Sequence, residues 1–114
     1  MKIIFIVTFT LLQAIQIISS QPYLHWSTSY NGPVANDQGN SVVVDADGNV
    51  FTTGYSDGPT GNKDCLTIKY NPSGNILWTA RYDGVAKAED EAFSIKVDPQ
   101  GNVYITGKSY STAN

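Results

Sequence analysis

The sequence has 114 residues, 41% of them hydrophobic and 15% charged, which suits one small globular domain and argues against a disordered chain. Its formal net charge is −3, and an acidic surface argues against nucleic acid as a partner. Cys65 is the only cysteine, so no disulfide can form within the chain, and we expect a small apolar residue rather than a nucleophile.

The first segment predicts export from the cell. Lys2 precedes an apolar run from Ile3 to Ile18, and two serines follow, which is the layout of a secretory signal peptide. We therefore predict a signal peptide at 1–20 and a mature chain at 21–114 that is secreted or held at the cell surface. An uncleaved membrane anchor is the alternative, but the run is shorter than the roughly 20 residues that span a bilayer, so stable membrane insertion is not expected.

The mature chain has the pattern of strands separated by turns. Its apolar residues are β-branched or aromatic, and they stand in short runs bounded by Gly, Asn, Asp and Pro. This pattern predicts no helix and seven strands, near 24–30, 40–45, 50–55, 65–70, 75–82, 92–98 and 103–108.

One turn motif occurs three times, as "DADGN" from Asp45, "NPSGN" from Asn71 and "DPQGN" from Asp98. In each copy the first side chain can bond to the backbone two residues on, and the glycine can take the left-handed conformation that closes a hairpin. The carboxylates of the first copy resemble a calcium loop, but an EF-hand also needs a glycine at its sixth position and a distant bidentate glutamate. We predict hairpins and no metal site.

The chain contains an internal repeat. "SVVVDADGNVFTTGYS" from Ser41 matches "SIKVDPQGNVYITGKS" from Ser94, and "WSTSYNG" from Trp26 matches "WTARYDG" from Trp78. Four strands in a unit of this length are typical of a propeller blade. The predicted fold is all-β, with β-propeller-type blades of four antiparallel strands.

Within this fold the mature chain divides into a strand at 24–30, a full blade at 40–82 and a half blade at 92–108. Antiparallel alternation is expected to send the tight turns to one rim of the blade and the long loops, at 31–39, 56–64 and 83–91, to the other.

The long-loop rim is the predicted binding surface, because loops held by a rigid scaffold carry most binding residues. The candidates there are Asp37, Tyr55, Asp90 and Glu91, presented to an extracellular protein or glycan. Asp90 and Glu91 are adjacent, so their side chains should point to opposite faces of a strand and could not flank one glycosidic bond. His25 is the only histidine, and we predict no catalytic residue and no cofactor.

Two segments carry a resemblance to a known family. "DCLTIKYNPSGNILWTARYDG" from Asp64 and "DEAFSIKVDPQGNVYITGKS" from Asp90 resemble the bacterial β-propeller repeat family SBBP, over about 23–110 of the chain. The resemblance implies a secreted or cell-surface protein with tandem blades and no assigned enzymatic activity. It favours a non-enzymatic scaffold or binding module. The alternative is a propeller enzyme, of lyase or glycosidase type, whose active site lies in blades outside this chain.

Propellers have about 4 to 8 blades, and a half blade leaves a strand edge unpaired. We therefore expect the chain to be a fragment of a larger propeller, or to need further blades in cis or self-association. A strand resembling "CLTIKYN" is expected soon after Asn114, and the strand at 24–30 is placed to supply the outer edge of a final blade.

Overall fold

The computed structural model describes residues 25–34, 36–86 and 88–110. These residues form six strands and no helix: β1 (Asp37–Val44), β2 (Val50–Asp57), β3 (Lys63–Tyr70), β4 (Ile76–Tyr82), β5 (Asp90–Val97) and β6 (Val103–Ser109). Strands β1 to β4 pair in chain order as one antiparallel sheet, the complete blade, and β5 pairs with β6 as a half blade. The predicted all-β, antiparallel fold class is confirmed.

None of the described residues forms a helix that is long and apolar enough to cross a membrane. The predicted signal peptide at 1–20 lies outside the described residues and stays a prediction.

The three repeated turns have the hairpin geometry that their sequences predict. In the first, the Asp45 carboxylate accepts the backbone N–H groups of Asp47 and Asn49 at 3.0 and 2.9 Å. The N–H of Gly48 donates to the carbonyl of Asp45 at 3.1 Å, and Gly48 has a φ of 81°. Such a left-handed φ is accessible to glycine without steric cost, which is why each copy carries one there.

A fourth turn of the same type joins β2 to β3. Here the N–H of Gly58 donates to the carbonyl of Asn62 at 2.8 Å, and Gly61 has a φ of 81°. The prediction of a long loop over 56–64 is therefore wrong, because β2 and β3 extend to leave only the five residues "GPTGN" between them. Tight turns consequently occur on both rims of the complete blade.

The predicted strand at 24–30 is not a strand over its described part, 25–30. An extended segment needs the edge of a sheet to complete its hydrogen bonds. This segment instead lays its rings on a face of the complete blade, where Trp26 and Tyr30 pack against the buried cluster of Leu66, Ile68 and Tyr70. The rings of Trp26 and Tyr70 lie 5.8 Å apart between centroids. We call this side of the blade the aromatic face.

The half blade covers the opposite side of the complete blade, which we call the stacking face. Strand β5 contacts β1, β2 and β3, and its side chains Ala92 and Ile95 are buried at 0% and 5% exposure. The Asn40 side chain donates a hydrogen bond of 2.8 Å to the carbonyl of Ala92. Two sheets that bury apolar residues against each other in this way give the blade stack its hydrophobic stability.

A β-bulge recurs at the same place in both blades. The β1–β2 register shifts between Gly39 and Ser41, which leaves Asn40 as the extra residue. The β5–β6 register shifts between Ala92 and Ser94, 53 residues further on. Facing each bulge is the glycine of a Thr-Gly pair, Gly54 or Gly107, whose missing side chain makes room for the opposite backbone. The sequence repeat thus includes a repeated backbone irregularity.

Candidate binding surface on the loop rim

The candidate surface is the rim where β2 ends and where β1, β3 and β5 begin. Strands β1, β3 and β5 begin here, at Asp37, Lys63 and Asp90, and β2 ends here at Asp57. The surface also includes the loop residues next to these four strand ends. All four predicted binding residues lie here or within three positions of these strand ends. We refer to this surface as the loop rim.

Asp37 and Asp90 hold the loops that precede their own strands. The Asp37 carboxylate accepts the N–H of Gly32 at 2.9 Å, and the Asp90 carboxylate accepts the N–H of Gly84 at 2.7 Å. The two pairs occupy equivalent positions in the repeat. A carboxylate that accepts a backbone N–H fixes the loop by a charge-assisted bond, so both aspartates have a structural role.

Asp90 differs from Asp37 in burial. Asp90 is fully buried, whereas Asp37 is exposed. The second carboxylate oxygen of Asp90, Oδ1, has no hydrogen-bond partner among the described residues, and the same holds for Oδ1 of Asp57. Buried Asp90 is thus unavailable for direct contact with a macromolecular partner.

Glu91 binds two lysines from different elements. Its Oε1 lies 2.6 Å from Nζ of Lys63, which begins β3, and its Oε2 lies 3.4 Å from Nζ of Lys108 in β6. The hydrogen bond from Lys63 holds the pKa of Glu91 below its usual range, and the same bond raises the pKa of Lys63. Glu91 therefore connects the complete blade to the half blade at the rim.

Tyr55 is brought close to Glu91 through Lys63. Nζ of Lys63 lies 4.4 Å from the centroid of the Tyr55 ring, in a cation–π arrangement. The Tyr55 hydroxyl donates to Oε1 of Gln38 at 3.0 Å, in an exposed position. Tyr55, Gln38 and Lys63 thus form an accessible group of one aromatic ring, one amide and one cation.

The ion pair of Arg81 and Asp64 at the base of the loop rim was not predicted from the sequence. Nη1 of Arg81 in β4 donates to the Asp64 carboxylate at 2.8 Å and to the carbonyl of Ser56 at 2.9 Å. Burial alone would lower the pKa of Arg81, but its bond to Asp64 raises it overall. Asp64, which precedes "CLTIKY", could have indicated this ion pair, because an acidic residue at the start of a buried strand needs a partner.

The described residues contain no group of three or more His, Cys, Asp or Glu side chains that could hold a metal ion. At the tight turn of β1 and β2, the Asp45 oxygens accept bonds from Asp47 and Asn49, which accounts for the carboxylate of Asp45. Burial raises the pKa of the Cys65 thiol, which disfavours the reactive thiolate.

The comparisons with known proteins agree with the repeat. The family model of the beta-propeller repeat, SBBP, matches residues 25–59 and 78–112, which together make up more than half of the chain. No curated protein matches the chain. The two matches lie on the two copies of the repeat, and each spans a turn, a bulge and a rim loop described above. The chain therefore belongs to the SBBP family of β-propeller repeat proteins.

Proposed function

We propose that the protein is an exported, non-enzymatic propeller module that binds an extracellular protein or glycan through its loop rim. Family membership supports a binding or scaffold role. Export is inferred from the signal-peptide pattern at 1–20. Further blades, in the same chain or in a second copy, would complete the propeller around this module.

The main support for a non-enzymatic role is the set of bonds that the rim carboxylates make. Asp37 and Asp90 each accept a backbone N–H of a loop, and Glu91 binds two lysines. A general acid or a nucleophile must be able to reach a substrate and exchange a proton with it. These carboxylates are instead engaged in holding the rim together, whereas Tyr55 and Gln38 present exposed polar groups on a fixed scaffold.

The surface suits a polar partner. A tyrosine ring can stack on an apolar face of a sugar or a side chain while its hydroxyl exchanges hydrogen bonds. The amide of Gln38 both donates and accepts, which matches the hydroxyl groups of a glycan or the backbone of a protein. We therefore assign Tyr55 and Gln38 as the primary contact residues and Asp37, Asp90 and Glu91 as residues that position the rim.

Binding can be tested with the full chain on a panel of immobilised extracellular polysaccharides and surface proteins. Any partner found should bind the Tyr55→Ala protein at least about tenfold more weakly, the scale of losing one well-placed aromatic contact. Tyr104→Ala is the control, because Tyr104 is another strand tyrosine, itself exposed, whose hydroxyl donates to Asp98 at the opposite rim. If binding weakened equally in both variants, or in neither variant, the assignment of Tyr55 as a contact residue would be refuted.

Export can be tested separately by expressing the full chain in a bacterium and sequencing the N-terminus of the product. We expect an extracytoplasmic protein that begins at Gln21. Leu11→Arg places a charge in the apolar run and should keep the precursor uncleaved in the cytoplasm. A wild-type product that stays uncleaved in the membrane fraction would support the anchor alternative instead.

A further inference from the structure

Three polar side chains at the loop rim form a series of hydrogen bonds that ends on the half blade. The Tyr55 hydroxyl donates to Oε1 of Gln38 at 3.0 Å, and Nε2 of Gln38 donates to Oδ1 of Asn40 at 2.8 Å. Nδ2 of Asn40 then donates to the carbonyl of Ala92 at 2.8 Å. We call these three side chains the amide chain. It runs from an exposed bond at the rim to the backbone of β5.

The direction of the amide chain is set by its last bond. A backbone carbonyl can only accept a hydrogen bond, so the part of the Asn40 amide that meets Ala92 must be the NH2 group. Oδ1 of Asn40 consequently faces Gln38 and accepts from Nε2, which turns Oε1 of Gln38 toward Tyr55. The Tyr55 hydroxyl has one proton, and Gln38 receives it.

This direction leaves one acceptor and one donor for a partner. The Tyr55 oxygen has given its proton to Gln38 and offers lone pairs. Gln38 is exposed and has two Nε2 protons, of which Asn40 takes one. Because a hydroxyl that donates is polarised, its oxygen also becomes a better acceptor. The rim thus presents an acceptor on Tyr55 beside a donor on Gln38.

The repeat shows that a blade does not need the amide chain. The three residues that stand 53 positions later in the half blade are Glu91, Phe93 and Lys108. Glu91 and Lys108 form an ion pair of 3.4 Å, and phenylalanine has no polar group that could continue a series of hydrogen bonds. Both sheets nevertheless have the same bulge. Building a blade therefore does not explain the amide chain, whereas recognition of a partner does.

Lys63 fixes the ring that carries the hydroxyl. Its Nζ lies 4.4 Å from the centroid of the Tyr55 ring and 2.6 Å from Oε1 of Glu91. The positive charge is thus already paired with a carboxylate, and the chain as a whole has a formal net charge of −3. Both charges disfavour a partner that carries carboxylate or sulfate groups. A neutral partner that can donate to Tyr55 fits the surface better.

We propose that the amide chain makes the loop rim a site for a neutral glycan, which it recognises through neighbouring hydroxyl groups of one sugar ring. One hydroxyl donates to the Tyr55 oxygen, and the next accepts from Nε2 of Gln38. A hydroxyl can do both, whereas an ether can only accept. Asn40 is a positioning residue, because it acts through Gln38. The inference rests on the proposed rim function and narrows its partner to one chemical class.

Matched sugars test the inference on the protein expressed from the full sequence. The probes are maltohexaose, xylohexaose and mannohexaose, each compared with its fully O-methylated form, in which every hydroxyl donor becomes an ether. Saturation-transfer-difference NMR titrations give the Kd values. We expect at least one hydroxylated probe to bind at least about fivefold more tightly than its methylated form, the scale of one net hydrogen bond.

Asn40→Ala tests the direction of the amide chain. Without Asn40 the Gln38 amide is free to turn, so the Tyr55 hydroxyl can donate to an ether oxygen. The ratio of the two Kd values should then fall to within about twofold, because the preference for a donor is lost. Gly39→Ala is the control on the neighbouring residue, where a Cβ meets nothing within 4 Å, and it should keep the wild-type ratio. Since both Kd values come from one sample, their ratio does not depend on the folded fraction.

Two tyrosine variants locate the contact. Tyr55→Phe keeps the ring, removes the acceptor oxygen and should weaken the hydroxylated probe at least about fivefold. Tyr104→Phe removes a hydroxyl that donates to Asp98 at the opposite rim and should leave that Kd within about twofold. Urea unfolding verifies that both variants are folded at the temperature of the titrations.

The results distinguish this inference from the rim function on which it rests. Equal binding of each sugar and its methylated form, or a wild-type ratio in Asn40→Ala, would overturn the inference. Absence of binding by all hydroxylated probes would overturn it too, and a surface protein whose binding weakens in Tyr55→Ala would then preserve the rim function. Sugar binding that is unchanged in both Tyr55→Phe and Tyr55→Ala would refute both.

Discussion

Gly54 and Gly107 show how one missing side chain fixes a backbone feature. A Cβ built on Gly54 would overlap the carbonyl oxygen of Gln38, and one built on Gly107 would overlap the carbonyl oxygen of Glu91. Both oxygens belong to the backbone beside a bulge, so they cannot move without disturbing the strand pairing. The Thr-Gly pair of each repeat is thus explained by packing against the bulge.

Gly54→Ala is therefore expected to destabilise the protein by about 1–3 kcal/mol or more, the cost of overpacking a rigid site. Gly39→Ala is the matched control, because nothing lies within 4 Å of a Cβ there and the second repeat already has Ala92 at the equivalent position. Its effect should stay within about 0.5 kcal/mol. Urea unfolding measures both, and equal midpoints for Gly54→Ala and wild type would refute the bulge argument.

Glu91 makes stability depend on pH in acid. Its pKa is lowered in the folded protein by the bond from Lys63, so its stabilising contribution is complete above the unfolded pKa, about 4.3, and is lost as pH falls through the folded value. The carboxyls of Asp45 and Asp98, whose pKa values are also lowered, act in the same direction. We expect the Tm to fall between about pH 5 and pH 3.

Glu91→Gln should flatten this fall, because the glutamine cannot be protonated and keeps no ion pair. Glu89→Gln is the control on the same loop, where the side chain is exposed. Thermal unfolding at pH 3, 5 and 7 separates the two variants. If the Tm of Glu91→Gln fell with pH as steeply as the Tm of the wild type, the ion pairs of Glu91 would contribute nothing to folding.

At the scale of elements, the sequence predicts turns better than it predicts contacts. The Asp or Asn side chain and the glycine of each tight turn act within five residues, so local chemistry determines them. The turn "GPTGN" shares the Pro and the Gly-Asn of "NPSGN", with Gly58 in place of the first Asn, and could have been identified from them. The role of Arg81 could not, because its partners Asp64 and Ser56 lie on other strands and depend on how the strands meet.

The segment 25–30 illustrates the same limit. Its likeness to β4 in sequence predicted a strand, yet pairing depends on an available edge. Its aromatic residues instead pack on a sheet face, where Trp26 contacts Tyr70. Local propensity gave way to tertiary burial, as it does for strands in general.

The turn between β1 and β2 gives a prediction of its own. Asp45→Asn should leave the urea midpoint unchanged, since Asn71 makes the same two backbone bonds in its turn. Asp45→Ala should lower the urea midpoint, because the N–H groups of Asp47 and Asn49 lose their acceptor. Calcium should not raise the Tm of the wild type, and a calcium-dependent rise that Asp45→Asn abolishes would support a metal loop instead.

For the whole molecule, the contacts of β5 predict that the complete blade and the half blade unfold together. Ile95 is 5% exposed and belongs to the half blade, whereas Trp26 and Trp78 lie on the complete blade. Ile95→Ala should cost about 2–5 kcal/mol and shift the unfolding midpoint seen by tryptophan fluorescence. Ile105→Ala, at a site 42% exposed, should cost less. An unchanged tryptophan midpoint in Ile95→Ala would show that the two sheets unfold independently.

The extra residue of the two bulges differs between the repeats, and this difference bears on how such a chain avoids misfolding. Asn40 reaches across to the carbonyl of Ala92, while its counterpart 53 residues later, Phe93, is 50% exposed. Near-identical neighbouring units in one chain are prone to exchange partners during folding. An amide that bonds to the neighbouring blade in one unit and an exposed aromatic ring in the other make the two bulges chemically unequal, so each unit carries a feature that distinguishes it from the other.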